Sequence, residues 1–198
     1  MKTLLIIDIQ NDFLPGGALA VSGGDEIIPV VNALLPKFEL VVATQDWHPP
    51  DHGSFAANHP GRAPFEQAEL DGLPQTLWPV HCVQNTGGAL FAPGLDTRKI
   101  ARVFPKGMNP QVDSYSGFFD NGHRGSTGLA DWLRSRGVTE ISVCGLATDY
   151  CVKFTVLDAL REGFQVTLLA DACRGVNLTP GDVGRAIDEM RSAGAVVV

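Results

Sequence analysis

Short apolar runs rich in β-branched residues alternate along the chain with longer stretches of helical period. The runs Thr3–Ile7, Leu40–Thr44, Ala101–Phe104, Glu140–Cys144, Gln165–Leu169 and Ala195–Val198 are predicted to be strands. Several are apolar throughout rather than alternating, which predicts burial on both faces of a sheet. Helices are predicted over Gly24–Leu35, Ser126–Arg136, Asp149–Glu162 and Pro180–Ala193. Strands that alternate with helices imply right-handed βαβ crossovers. The expected fold is α/β: a single three-layer doubly wound domain over residues 1–198, with a mainly parallel six-stranded sheet. The exception is Asp46–Lys99, which is rich in Pro, Gly and His and has little periodicity. Irregular segments of that length are usually functional when they occur in compact domains.

Composition narrows the partners. The 198 residues are 44% hydrophobic, enough for a packed core without disulfide staples. The formal net charge is −7, which argues against nucleic acid or an anionic membrane as a partner, since both need a basic face. The opening MKTLLIIDIQNDF reads as a first strand rather than a signal peptide, because Asp8 interrupts the apolar run and no small-residue cleavage site follows. No apolar stretch approaches the ~20 residues of a membrane span. Cys82, Cys144, Cys151 and Cys173 form no CxxC pair, so a reducing, cytoplasmic setting is expected. A homo-oligomer is compatible with the sequence.

In open α/β sheets, ligands bind beyond the carboxyl ends of the strands. Asp8 ends the first predicted strand, Asp46-Trp47-His48 follow the second, Lys106 follows the third and Cys151 follows the fourth. All four groups are therefore expected at one edge. Cys151 falls in the first turn of a predicted helix that Thr148 or Asp149 can cap. Free N–H groups and positive potential there favour a thiolate or an oxyanion. Most free cysteines are small buried hydrophobes, and Cys82, Cys144 and Cys173 are read that way. The position of Cys151 at a strand-to-helix turn sets it apart. A thiol nucleophile needs a proton acceptor and a charge partner, and Asp8 and Lys106 share its edge. Taken alone, Asp8 would be a turn or capping residue and Lys106 a solvated lysine.

Asp46 and His48 are two apart, so an extended segment points both the same way. His52, His59 and His81 lie in the same irregular region. Oxygen and nitrogen donors of these types suit zinc, iron(II) or manganese(II). His59 and His123 fit ordinary turn or capping roles. Phe13 and Trp78 are loop aromatics that either pack over the core or sandwich a flat ring.

The strings LLIIDIQNDFLPGGAL, TQDWHPPDHGSFAANHPG, LWPVHCVQNTGGA, FPKGMNPQVDSYSGF and GLATDYCVKFTVLDA are spread over most of the chain. Together they resemble the nicotinamidases, which also act on pyrazinamide, within the isochorismatase-like cysteine hydrolases. The Asp/Lys/Cys set is shared widely in that family, whereas DWHPPDHGSF and WPVHC are more specific to nicotinamidases. The resemblance implies a catalytic triad of Asp8, Lys106 and Cys151. It implies metal ligands Asp46, His48 and His81, with His52 or Ser54 nearby and zinc first among the metals. It further implies a cis Leu146–Ala147 bond, an oxyanion hole from the N–H groups of Ala147 and Cys151, and ring contacts from Phe13, Trp78 and Tyr115. The implied reaction converts nicotinamide to nicotinate and ammonia, a step of NAD salvage, with a small aromatic amide as the partner.

Two other readings compete. An isochorismatase-like amidase acting on a carbamoyl or ureido compound would keep the triad but would not need a metal to hold a pyridine nitrogen. A small-molecule binding module, for instance for a nucleotide, would be expected to carry a glycine-rich phosphate loop after the first strand. The sequence there is DIQNDFLPGG instead, and its acids would repel phosphate.

Overall fold

A computed structural model describes residues 1–198. Strands β1 (Thr3–Ile7), β2 (Leu40–Asp46), β5 (Ile100–Lys106), β6 (Glu140–Leu146), β7 (Gln165–Arg174) and β8 (Val196–Val197) form one sheet in the order β5-β2-β1-β6-β7-β8. Every pairing in it is parallel. Helices α1 (Ile27–Leu34), α2 (Leu129–Arg134), α3 (Lys153–Arg161) and α4 (Asp182–Ser192) flank it. The α/β doubly wound expectation therefore holds. All five residues of β1 are buried, as its unbroken apolar run requires for the middle of such a sheet. No helix is long and apolar enough to cross a membrane.

From β1 the chain winds outward through β2 to β5, and from β6 it winds the other way through β7 to β8. The order reverses between β1 and β6, which opens a crevice above their carboxyl ends. Asp8 follows β1 and Cys151 lies just past β6, so both residues stand at that crevice.

Several element bounds differ from the sequence expectation. Strands β2 and β5 run on to include Asp46 and Lys106, which pair with each other in register. The helix expected from Ser126 begins only at Leu129. Ser126 Oγ accepts the Gly128 N–H at 3.0 Å, and Gly128 has a left-handed backbone, so these residues form the entry turn. Thr148–Val152 is a π-helical turn ahead of α3, and neither Thr148 nor Asp149 caps it. The Asp149 carboxylate instead accepts the N–H groups of Val176 and Asn177, at 2.9 and 2.7 Å.

The segment from Asp46 to Lys99 is not wholly irregular. Strands β3 (Gln67–Leu70) and β4 (Leu73–Thr76) form an antiparallel hairpin. Asp71 and Gly72 at its tip both have positive φ, the conformation of a type I′ turn and the usual reason for an Asp-Gly pair.

Gly145 pins the crevice together. Its φ is +124°, and a Cβ there would overlap the backbone of Ile7, its register partner on β1. Gly145→Ala should therefore destabilise the protein by about 2 kcal/mol or more, measured by urea unfolding.

Candidate active site

Four strand ends deliver one buried cluster. Lys106 is only 2% exposed although it is a lysine. Its Nζ donates to Asp46 Oδ1 at 2.5 Å and to the Ser114 carbonyl at 2.9 Å. It also lies 3.4 Å from Cys151 Sγ and 2.9 Å from Asp8 Oδ2. The Asp8 contact is a buried ion pair, and no other polar contact reaches Oδ2 within hydrogen-bond distance. Thr44 Oγ1, on β2, donates to the other oxygen, Oδ1, at 2.6 Å. Asp8 has φ +46°, which turns the chain sharply off the end of β1.

Burial and charge set the protonation states. Burial raises the Asp8 pKa, against the opposing pull of Lys106. Burial also works against ionised Asp46, but Lys106 and then His48 outweigh it and hold that carboxyl well below the usual range. Lys106 is pushed well above its ordinary value because Asp46 and Asp8 overcome the effect of burial, so it stays charged. Burial, reinforced by the two carboxylates, lifts the Cys151 thiol well above its ordinary value despite Lys106. That direction opposes the thiolate that a helix N-terminus alone would favour.

Asp46 faces two ways. Its Oδ2 lies 3.6 Å from His48 Nε2 and 3.9 Å from His81 Nε2. Each histidine gives its Nδ1–H to a backbone carbonyl, His48 to Gly107 and His81 to Pro79, both at 2.8 Å. These bonds leave both Nε2 lone pairs aimed toward one carboxylate oxygen. Such an arrangement demands a cation between the donors. A proton serves in part: burial opposes it, but Asp46 raises the His48 pKa. His81 is pushed down to about 4, by burial and then by the charge of His48. A divalent ion answers the same demand better, because two donors each ~2.1 Å from one ion lie roughly 3–4 Å apart. Asp46, His48 and His81 could therefore hold a metal.

His52 is fully buried, and its Nδ1 accepts the Ser54 N–H at 3.2 Å and faces Ser54 Oγ at 2.7 Å. Its Nε2 has no partner in the protein. His52, His48 and Asp113 form a second grouping of donor atoms within 4.8 Å of one another. His59 and His123 stand outside the cluster, His59 on the Gly53 carbonyl and His123 beside Asp158.

The cluster opens into a small cavity with mainly apolar walls. Phe13, Trp78, Tyr115, Ala147 and Cys151 are among the residues that line it. The peptide bond Leu146–Ala147 is cis. Tyr150 and Asp113 also line the cavity and were not singled out from the sequence. Tyr150 stands edge-on to Trp78 with ring centroids 4.9 Å apart, and its place beside Cys151 was the available signal. Gln10 was also missed. It grips the Asp46 backbone from both sides, with Oε1 accepting the N–H and Nε2 donating to the C=O, each at 2.8 Å.

The sequence of this chain matches the model of the isochorismatase domain over residues 2–198. The chain belongs to the isochorismatase family. Within that family it is 56% identical to a nicotinamidase of Escherichia coli, over 99% of this chain and 93% of the relative. A solved nicotinamidase/pyrazinamidase structure from Acinetobacter baumanii superposes with a TM-score of 0.96 at 46% identity, covering 100% of this chain and 95% of the other. The pyrazinamidase of Pyrococcus horikoshii, solved in complex with zinc, superposes with a TM-score of 0.82 at 43% identity, covering 100% and 98%.

Removing the lysine should expose how much the cluster depends on it. Lys106→Met should destabilise the protein by about 3–5 kcal/mol, because two buried carboxylates lose their counter-charge. Adding Asp8→Asn should restore part of that loss in chemical denaturation.

Proposed function

We propose that the protein hydrolyses nicotinamide to nicotinate and ammonia through a thioester on Cys151, and accepts pyrazinamide as well. The observation that carries this reading is a single cavity lined by Cys151 and by the Asp46/His48/His81 donors, with Lys106 and Asp8 buried close to Cys151. Its apolar walls suit a flat ring, which favours an aromatic amide over a ureido compound. The high identity to nicotinamidases over nearly the whole chain supports the same substrate. One domain over residues 1–198 carries the site, with the metal donors in its 46–99 region. All four cysteines are free, which suits a reducing cytoplasmic setting.

Asp46, His48 and His81 would hold one divalent cation, with zinc first on the strength of the zinc-bound relative and iron(II) or manganese(II) as alternatives. Once bound, the ion would offer a Lewis-acid site to the pyridine nitrogen and so orient the ring. Phe13, Trp78 and Tyr115, which line the cavity, would supply apolar contacts to the ring.

The protein's own residues carry the chemistry. The raised pKa of Asp8 makes it a stronger base than an ordinary carboxylate, and its carboxylate, with an oxygen within 4.8 Å of Cys151 Sγ, receives the Cys151 proton. Because burial disfavours a free thiolate, transfer to Asp8 accompanies attack rather than preceding it. Lys106 steadies the negative charge as it passes between sulfur and carboxylate. The sulfur bonds to the amide carbon, and the oxyanion accepts N–H groups from Ala147 and Cys151, each worth roughly 3 kcal/mol. Asp8 returns the proton to the amide nitrogen, the C–N bond breaks, and ammonia leaves. Asp8 then deprotonates a water, which attacks the thioester and releases nicotinate and the thiol.

Cys151→Ala should cut ammonia release from nicotinamide by ~10⁴-fold or more while the fold persists. Retained turnover would remove Cys151 as the nucleophile, and quenched turnover of the unaltered protein should show an acyl adduct on the Cys151 peptide by mass spectrometry. Chelation should abolish activity and zinc should restore it. A chelator-insensitive enzyme would instead exclude the metal assignment.

The pH profile follows from Asp8. Its protonated form cannot accept the thiol proton, so kcat/KM should fall as pH drops through a value above the ordinary 3.8 of an aspartate. An acid limb at or below 3.8 would contradict Asp8 as the base.

A further inference from the structure

The two histidine-bearing segments meet at one peptide unit. The C=O of Cys82, the residue after His81, accepts the His48 N–H at 3.0 Å, and the His48 C=O accepts the Gln84 N–H at 2.8 Å. Cys82 itself has φ +46°, a conformation that a non-glycine residue holds only where its surroundings enforce it.

Asp12 supplies that enforcement. Its Oδ2 accepts the Cys82 N–H at 2.7 Å, a charge-assisted bond, and its Oδ1 is 3.4 Å from the Ala18 N–H. Asp12 is in turn fixed through its backbone, donating to the Gly88 C=O at 3.0 Å and accepting the Leu19 N–H at 2.9 Å. A Cβ at Gly88 would overlap the Asp12 carboxylate, so the glycine makes room for it. Asp12 belongs to the short 3₁₀ turn Asn11–Phe13 but no side chain caps that turn. The next residue, Phe13, packs its ring 5.6 Å from the ring of His81.

We propose that Asp12 is a positioning residue for the metal donors. It touches neither the donors' ring nitrogens nor the cavity. It fixes the backbone of residues 81 and 82, and so the spacing between His81 and His48 on which Asp46 closes the set. The Pro79 carbonyl sets how the His81 ring is turned, and Asp12 sets where that ring stands. This inference rests on the reading of Asp46, His48 and His81 as metal ligands.

Competition with a chromogenic zinc chelator, on the full-length protein stripped of metal, tests it. Asp12→Ala should weaken zinc binding roughly 10–100-fold, the range for lost outer-shell support of a metal ligand. Asp12→Asn should stay within about threefold of the unaltered protein, because the amide oxygen still accepts the Cys82 N–H. In a His81→Ala background, Asp12→Ala should cause no further loss, since the side chain it positions is gone. Gly88→Ala displaces the carboxylate without removing it, and should reproduce the loss if Asp12→Ala does not fold. Zinc affinity in Asp12→Ala equal to that of the unaltered protein would overturn the proposal, as would the same fold-loss with and without His81. An unaltered protein that binds no zinc would overturn the metal reading as well, so the two failures are distinguishable.

Discussion

A charged lysine sealed inside the protein is the constraint around which the other groups are arranged. Buried alone, Lys106 would lose its proton. It keeps it because Asp46 and Asp8 approach within 2.5 and 2.9 Å. Two carboxylates against one ammonium leave the cluster with an excess of one negative charge, and burial magnifies it. That excess has two consequences. It adds to the burial that raises the Cys151 thiol pKa, and it makes the neighbouring Asp46–histidine set a place where a cation is welcome. Nucleophile and donor set therefore share one carboxylate and one lysine, and neither can be altered without disturbing the other.

The sheet makes this arrangement affordable in geometric terms. Parallel strands end on the same side, so Asp8, Asp46 and Lys106 meet without any of them leaving regular structure by more than one residue. Asp46 and Lys106 are register partners at the ends of β2 and β5. Reversal of strand order between β1 and β6 then leaves room for Cys151 and the cavity. Glycines are placed where backbones crowd this edge. Gly107, with φ +66°, is one of them: a Cβ there would overlap the His48 ring that its own carbonyl orients.

The region between β2 and β5 supplies what the sheet edge lacks. It brings His81 and Trp78 over the cavity, and its β3–β4 hairpin props the wall through Gln75, which donates to Asp113 at 3.0 Å and to Tyr115 at 3.3 Å. The hairpin could have been read from its Asp71-Gly72 pair, the strongest short-range hairpin signal. Its strands are short, and only one of their residues, Gln75, is buried, so they lack the apolar pattern that marks the other strands.

The amino-acid sequence by itself determined the layered α/β fold, because continuous apolar runs and helical periods report which residues must be buried. It also determined that Asp8, Asp46, Lys106 and Cys151 stand at one edge, because strand ends in a parallel sheet share a side. Only the tertiary structure decided that Lys106 is buried and bridges two carboxylates, where a lysine before a glycine reads locally as solvated. It likewise decided that Asp149 anchors the Val176 segment rather than capping a helix, and that Gln10, Tyr150 and Asp113 belong to the site. The physical reason is common to all of these. Periodicity records the face a residue presents, whereas hydrogen bonds and ion pairs between residues 36 or 60 positions apart, such as Thr44 with Asp8 or Lys106 with Asp46, depend on register and packing that no local pattern carries.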